Sequence, residues 1–174
     1  LLMADFLWQL VAIFDYMSIF ITWLFVIAFL YNLSTSINNH NKNLLLLSFI
    51  MMLSYTSSMF IDPTTETPHL KMFMFDIVTI VLLVIWGYFI KGKIIPVAFY
   101  YLIVGLSFNA LMFLGMHYDV SMQDNTDYWW FWALYAIGQV VSDCVMAVVL
   151  IINKDVLKIL WLVKRFKGRF ILGA

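Results

Sequence analysis

Long apolar stretches separated by short polar breaks fill most of this chain and leave it few possible folds. The stretches are Phe6–Tyr31, Leu44–Ile61, Leu70–Ile90, Ile94–Met116 and Tyr128–Ile152. A helix that crosses a bilayer needs about 20 mostly apolar residues. In hydrocarbon only helices or closed barrels satisfy their own backbone groups. A soluble domain is roughly half apolar and a quarter charged. This chain is 64% hydrophobic and 11% charged, so in water it would be coated with sticky surface. The expected fold is therefore all-α: a polytopic transmembrane bundle of five spans over residues 1–153, with a basic amphipathic helix in a tail over 154–174. The breaks (Asn32–Asn43, Asp62–His69, Lys91–Lys93 and His117–Asp127) are too short to separate domains, and no repeat is visible.

Orientation follows from where the basic residues lie, because short loops rich in Lys and Arg stay in the cytoplasm. Lys42, Lys91 and Lys93 fall on one side with the tail residues Lys154, Lys158, Lys164, Arg165, Lys167 and Arg169. Asp62, Glu66, Asp119, Asp124 and Asp127 fall on the other. The expected topology is N-terminus out and C-terminus in. Tyr128, Trp129, Trp130 and Trp132 read as anchors at the outer interface, and Trp86 and Tyr88 as anchors at the inner one. The tail alternates basic and apolar residues, which suits contact with anionic lipid. Leu1-Leu2-Met3 suggests either a native start at Met3 or a chain that begins inside a longer protein. No cleavable signal is expected, since the first apolar run is too long and lacks a basic lead.

Three aspartates interrupt the apolar stretches: Asp15, Asp76 and Asp143. A carboxylate at membrane depth costs a few kcal/mol and is a functional-site hypothesis by default. Positions three and four apart share a helix face. On that spacing Asp15 aligns with Ser18 and Thr22, Asp76 with Thr79, and Asp143 with Gln139; Asn109 lies on a stripe with Tyr101 and Gly105. Counting about 1.5 Å per residue from the outer ends puts Asp76 roughly 9 Å deep, Asn109 roughly 10–12 Å, Asp15 roughly 14 Å, Gln139 roughly 17 Å and Asp143 roughly 22 Å. The inner halves of the stretches carry almost nothing polar. The pattern predicts an acidic cavity open to the outside and sealed below. Its ligands would be Asp15, Asp76, Asn109, Gln139, Asp143, Ser18 and Thr79. Lys71 and His69 could reach Asp76 by snorkelling; Asp15 and Asp143 have no evident basic partner. Such a carboxylate either carries a proton or holds a cation, or it serves as interhelical glue.

Several classes are excluded. The net charge is zero, which removes the bulk electrostatic case for nucleic acid. Cys144 is the single cysteine, so no intrachain disulfide or cysteine metal motif exists. No phosphate loop, His-Glu-x-x-His pattern or plausible Ser–His–Asp set appears, and no cofactor is called for. Met59, Met72, Met74, Met112, Met116 and Met122, with His69 and His117, could in principle suit Cu(I), but methionine is an ordinary filler of apolar gaps. His40 and His117 read as loop or interfacial residues. Gly138 and Ser142 form a small-xxx-small pair that permits close helix approach, within the bundle or between protomers.

Two functional readings remain, with an intramembrane enzyme well behind them. One is a transporter, channel subunit or receptor that binds or conducts a proton, a cation or a small cationic ligand. The other is a non-transporting accessory, immunity or exclusion protein that acts through contacts in the bilayer. A chain this short is expected to form a homo-oligomer or join a larger membrane complex. Its compact form suits a prokaryotic inner membrane.

Overall fold

The structure is a computed structural model. It describes residues 2–38, 42–61, 67–90, 95–125, 127, 129–158 and 161, with no side-chain detail for 2–15. The regular structure among the described residues is helical, with no strand. The helices are α1 (Leu2–Ser36), α2 (Asn43–Ser58), α3 (Pro68–Phe89), α4 (Val97–Met116) and α5 (Trp130–Ile152), and a π-helical turn, His117–Met122, extends α4.

Four of them are long and apolar enough to cross a membrane: Tyr16–Ser36 within α1, α3, α4 with its π turn, and α5. Their outward surfaces are apolar. Trp23, Leu111, Ile137 and Phe89 are 61%, 63%, 67% and 79% exposed, which marks an integral membrane protein rather than a soluble one. The second stretch, expected as a span reaching Ile61, is helical for only 16 residues. That is about 24 Å against a hydrocarbon thickness of about 30 Å. In its last turn Ser58 Oγ donates to the carbonyl of Tyr55 at 2.9 Å. Pro68 occupies the start of α3 and Pro96 immediately precedes α4, positions where a missing N–H costs nothing.

The five helices close a ring in chain order. Each packs on its neighbours in sequence, and α1 returns to α5. The α1–α2 and α3–α4 connections therefore lie at one end, called here the inner end, and the α2–α3 and α4–α5 connections at the outer end. An apolar core fills the inner half, where Phe25, Leu47, Met51, Leu83, Leu102, Leu106 and Leu150 are fully buried. Trp86, expected as an interfacial anchor, belongs to this core and packs on Phe99 with ring centroids 5.9 Å apart. Tyr88 is exposed.

Close approach of α4 and α5 depends on glycine. A Cβ on Gly138 would lie 3.0 Å from the Phe108 ring, and one on Gly105 would strike the buried thioether of Met146. Ser142 Oγ donates to the Gly105 carbonyl at 3.4 Å. The Gly138/Ser142 pair thus serves packing inside the bundle.

The tail does not continue α5. Asn153 adopts a left-handed conformation (φ 48°, ψ 41°) and ends the helix, as asparagine does with little strain. Its Oδ1 accepts the N–H of Ala98 at 3.3 Å. Asp155 Oδ1 then accepts the Tyr101 hydroxyl at 2.6 Å, and that hydroxyl accepts the Leu157 N–H at 2.7 Å. The segment 154–158 is a non-helical strap over the start of α4; the rest of the expected amphipathic helix, Trp161 apart, lies outside the described residues. Asn32 Nδ2 adds a buried bond from α1 to the Leu150 carbonyl, 3.0 Å.

The Gly105–Met146 contact gives a direct test. Gly105→Leu overpacks α4 against α5 and should destabilise the fold by about 1–3 kcal/mol. Adding Met146→Ala should recover part of the loss in a double-mutant cycle read by reversible unfolding. Simple additivity would show that the two residues do not pack on each other.

Candidate functional site

At the outer end the ring is not filled. A cavity of about 60 Å³ lies between four helices, lined by Ser54, Tyr55 and Ser58 of α2, Met72, Phe75 and Asp76 of α3, Asn109 and Phe113 of α4, and Gln139 and Asp143 of α5. A water needs on the order of 10–15 Å³ of such space, so the cavity has room for a few waters or one inorganic ion.

Asp143 is the most constrained group in it. Its Oδ1 accepts from the Tyr55 hydroxyl and from Asn109 Nδ2 at 2.6 Å. Tyr55 is held from behind by Phe25 of α1, ring centroids 4.1 Å apart. One carboxylate oxygen thus ties α2, α4 and α5 together, with α1 as a backstop. Asp76 is set differently. It is 9% exposed, and its Oδ2 has no hydrogen-bond partner. Asn109 Oδ1 and Gln139 Nε2 are also buried and unpartnered. Buried polar atoms are rarely left this way unless water or an ion completes them. Neither Asp76 nor Asp143 is paired with a lysine, arginine or histidine among the described residues.

The helices explain why these groups converge. Asp76 lies eight residues into α3 and Asp143 thirteen into α5, about 12 Å and about 20 Å along their axes. The gap is smaller than the sequence suggests, because α3 starts two residues earlier and α5 two residues later than expected. The two carboxylates therefore line one cavity.

Of the predicted ligands, Asp76, Asn109, Gln139 and Asp143 come together here. Thr79 sits one turn further along α3, toward the inner end. It shares a 2.6 Å hydrogen bond with Ser54 and donates to the Phe75 carbonyl at 2.8 Å, so it supports the lining without reaching the cavity. Ser18 is exposed on α1 and its carbonyl receives Thr22 Oγ1 at 2.9 Å; it is not in the cavity. The side chain of Asp15 lies outside the described residues. Tyr55 is not among the expected ligands, although its spacing three before Ser58 puts it on a polar face of α2.

The basic groups expected near Asp76 point elsewhere. Lys71 is exposed. His69 packs edge-on against Tyr135, 5.8 Å between centroids, and Tyr135 meets Phe113 at the same separation. Of these three rings, Phe113 lines the cavity. His117, expected at an interface, is buried in the π turn, with Nδ1 unpartnered. Met59, Met74 and Met122 turn outward, so the methionine–histidine set does not assemble. No group of three or more His, Cys, Asp or Glu could hold a metal among the described residues.

The π turn after α4 holds a second acidic knot that the spacing did not reveal. Asp119 Oδ2 accepts indole N–H bonds from Trp129 at 2.9 Å and Trp132 at 2.7 Å, and Oδ1 accepts Asn125 Nδ2 at 3.0 Å. The two tryptophans, expected as anchors at an interface, are tied to the loop.

Tyr55→Phe should cost roughly 1 kcal/mol, typical of a hydrogen bond between membrane helices. In Asp143→Leu the same change should cost much less. Equal losses in both backgrounds, measured by unfolding, would mean that the hydroxyl and the carboxylate are not coupled.

No protein family, curated protein or solved structure matches the chain.

Proposed function

We propose that this integral membrane protein binds a proton or one small inorganic cation in the outer cavity, with Asp76 and Asp143 carrying the balancing charge. The observation that supports this is the pair of buried carboxylates lining one small cavity without a basic partner among the described residues. Asn109 and Gln139 are the neutral ligands, and Tyr55 fixes Asp143. Interhelical glue accounts for Asp143, which has two donors. It does not account for Asp76, whose free oxygen would be a cost with no return in a purely structural role. The small volume favours an inorganic ion over an organic cation, and carboxylate and amide oxygens suit hard cations.

The packed inner half argues against an open pore. The site is one of binding and response, and transport would need a second conformation that unpacks that core. The same packing favours a second reading, a non-conducting accessory, immunity or exclusion protein in which the polar groups hold the ring together. In either case the proposed topology is five crossings with α2 as the short one, N-terminus out and C-terminus in. The short loops suit a prokaryotic inner membrane, and assembly as a homo-oligomer or within a larger complex suits the small size.

Thermal stability across cations and pH separates the readings. A ligand at 100 times its Kd stabilises by about 2.7 kcal/mol. Wild type should gain that order of stability from one ion, or from a change in pH, and Asp76→Asn and Asp143→Asn should each lose the response. No specific response, with Asp76→Asn at least as stable as wild type, would overturn ion binding in favour of the second reading. For the topology, a cytoplasm-active reporter fused to the C-terminus should be active; activity only of a reporter that works outside would reverse the orientation.

A further inference from the structure

The surface between α4 and α5 carries a feature that the cavity does not use. A groove of about 320 Å³ runs from the middle of the two helices to their inner end. Its walls are Val104 and Phe108 on one side, Val141 and Val145 on the other, and Leu157 of the strap closes its inner end. The polar groups that border it are committed elsewhere: Ser142 Oγ to the Gly105 carbonyl, and the Tyr101 hydroxyl to Asp155 and Leu157. A second apolar groove of about 160 Å³ shares Val145 and is closed by Val156, the neighbouring strap residue. Lys154 and Lys158, both exposed, bracket Val156 and Leu157 in the strap.

We propose that this face binds one anionic phospholipid from the inner leaflet, its two acyl chains in the two grooves and its phosphate against Lys154 and Lys158. Apolar walls, with the free thiol of Cys144 as a weak donor in the smaller groove, favour hydrocarbon, and an unfilled groove would forfeit its dispersion contacts. The paired lysines at the closed end supply the charge that selects an anionic headgroup. A helix from a second copy fits less well. The notch that small residues would offer it is taken, because Phe108 already fills the space over Gly138 and Met146 that over Gly105.

The test is native mass spectrometry of the full chain released from bilayers of equal parts phosphatidylglycerol and phosphatidylcholine with identical chains. Wild type should retain one phosphatidylglycerol in preference to phosphatidylcholine by roughly tenfold to thirtyfold, the size expected of two lysines at an anionic surface. Lys154→Gln/Lys158→Gln should retain both lipids equally. Val141→Trp, which fills the larger groove from an exposed position, should lose both while keeping the melting temperature of wild type. Equal retention by wild type, or a preference that survives the lysine changes, would overturn the proposal. A dimer that dissociates in Val141→Trp, with no lipid bound to wild type, would assign the grooves to a second copy instead.

Discussion

Hydrocarbon offers no hydrogen bonds, so each polar group carried into it must find a partner inside the protein. That requirement organises the whole ring. Apolar side chains give no preference for helix over lipid, and association rests on close packing and on the polar contacts. Three polar knots result, at three levels. Asp119 with Trp129 and Trp132 ties the outer loop; Asp143 with Tyr55 and Asn109 ties the middle; Tyr101 with Asp155, and Asn153 with Ala98, tie the inner end. All three involve α5 or its immediate flanks. The helix acts as a pin through the ring, and the rest of the fold is arranged to meet it.

The two halves of the bundle differ in what they ask of side chains. The inner half is ordinary packing, dense enough that glycine is needed where α4 meets α5. The outer half stays open and polar, with acceptors and donors left over. The apolar packing lies on the inner side of the polar cavity, and the ring contacts His69–Tyr135 and Tyr135–Phe113 lie on its other side.

Much of the site was legible because polar residues stand out against an apolar background. Asp76, Asn109, Gln139 and Asp143 are conspicuous for that reason, and helix spacing was enough to align them. Thr79 falls on the right face but one turn beyond the cavity, and Ser18 falls outside the ring, since spacing fixes neighbours on one helix and not the direction in which the helix faces. Aromatic residues were read least well. Tyr55 and Trp86 each have a body that suits lipid and a tip that suits water, so composition cannot say whether such a residue anchors an interface, fills a core or binds a carboxylate. Helix ends were the other loss. The stop at Asn153 depends on a left-handed residue, a local choice that hydropathy does not register, and hydropathy likewise ran α2 past its end at Ser58.

The ring order bears on how the protein is made. Tyr55 and Asn109 enter the membrane on α2 and α4, before the carboxylate they serve has been synthesised. Until α5 is in place, neither group has the carboxylate that it bonds in the finished fold. The last helix therefore supplies both the contact that returns to α1 and the oxygen that ties α2 to α4. The ring and its central polar knot are completed in the same step.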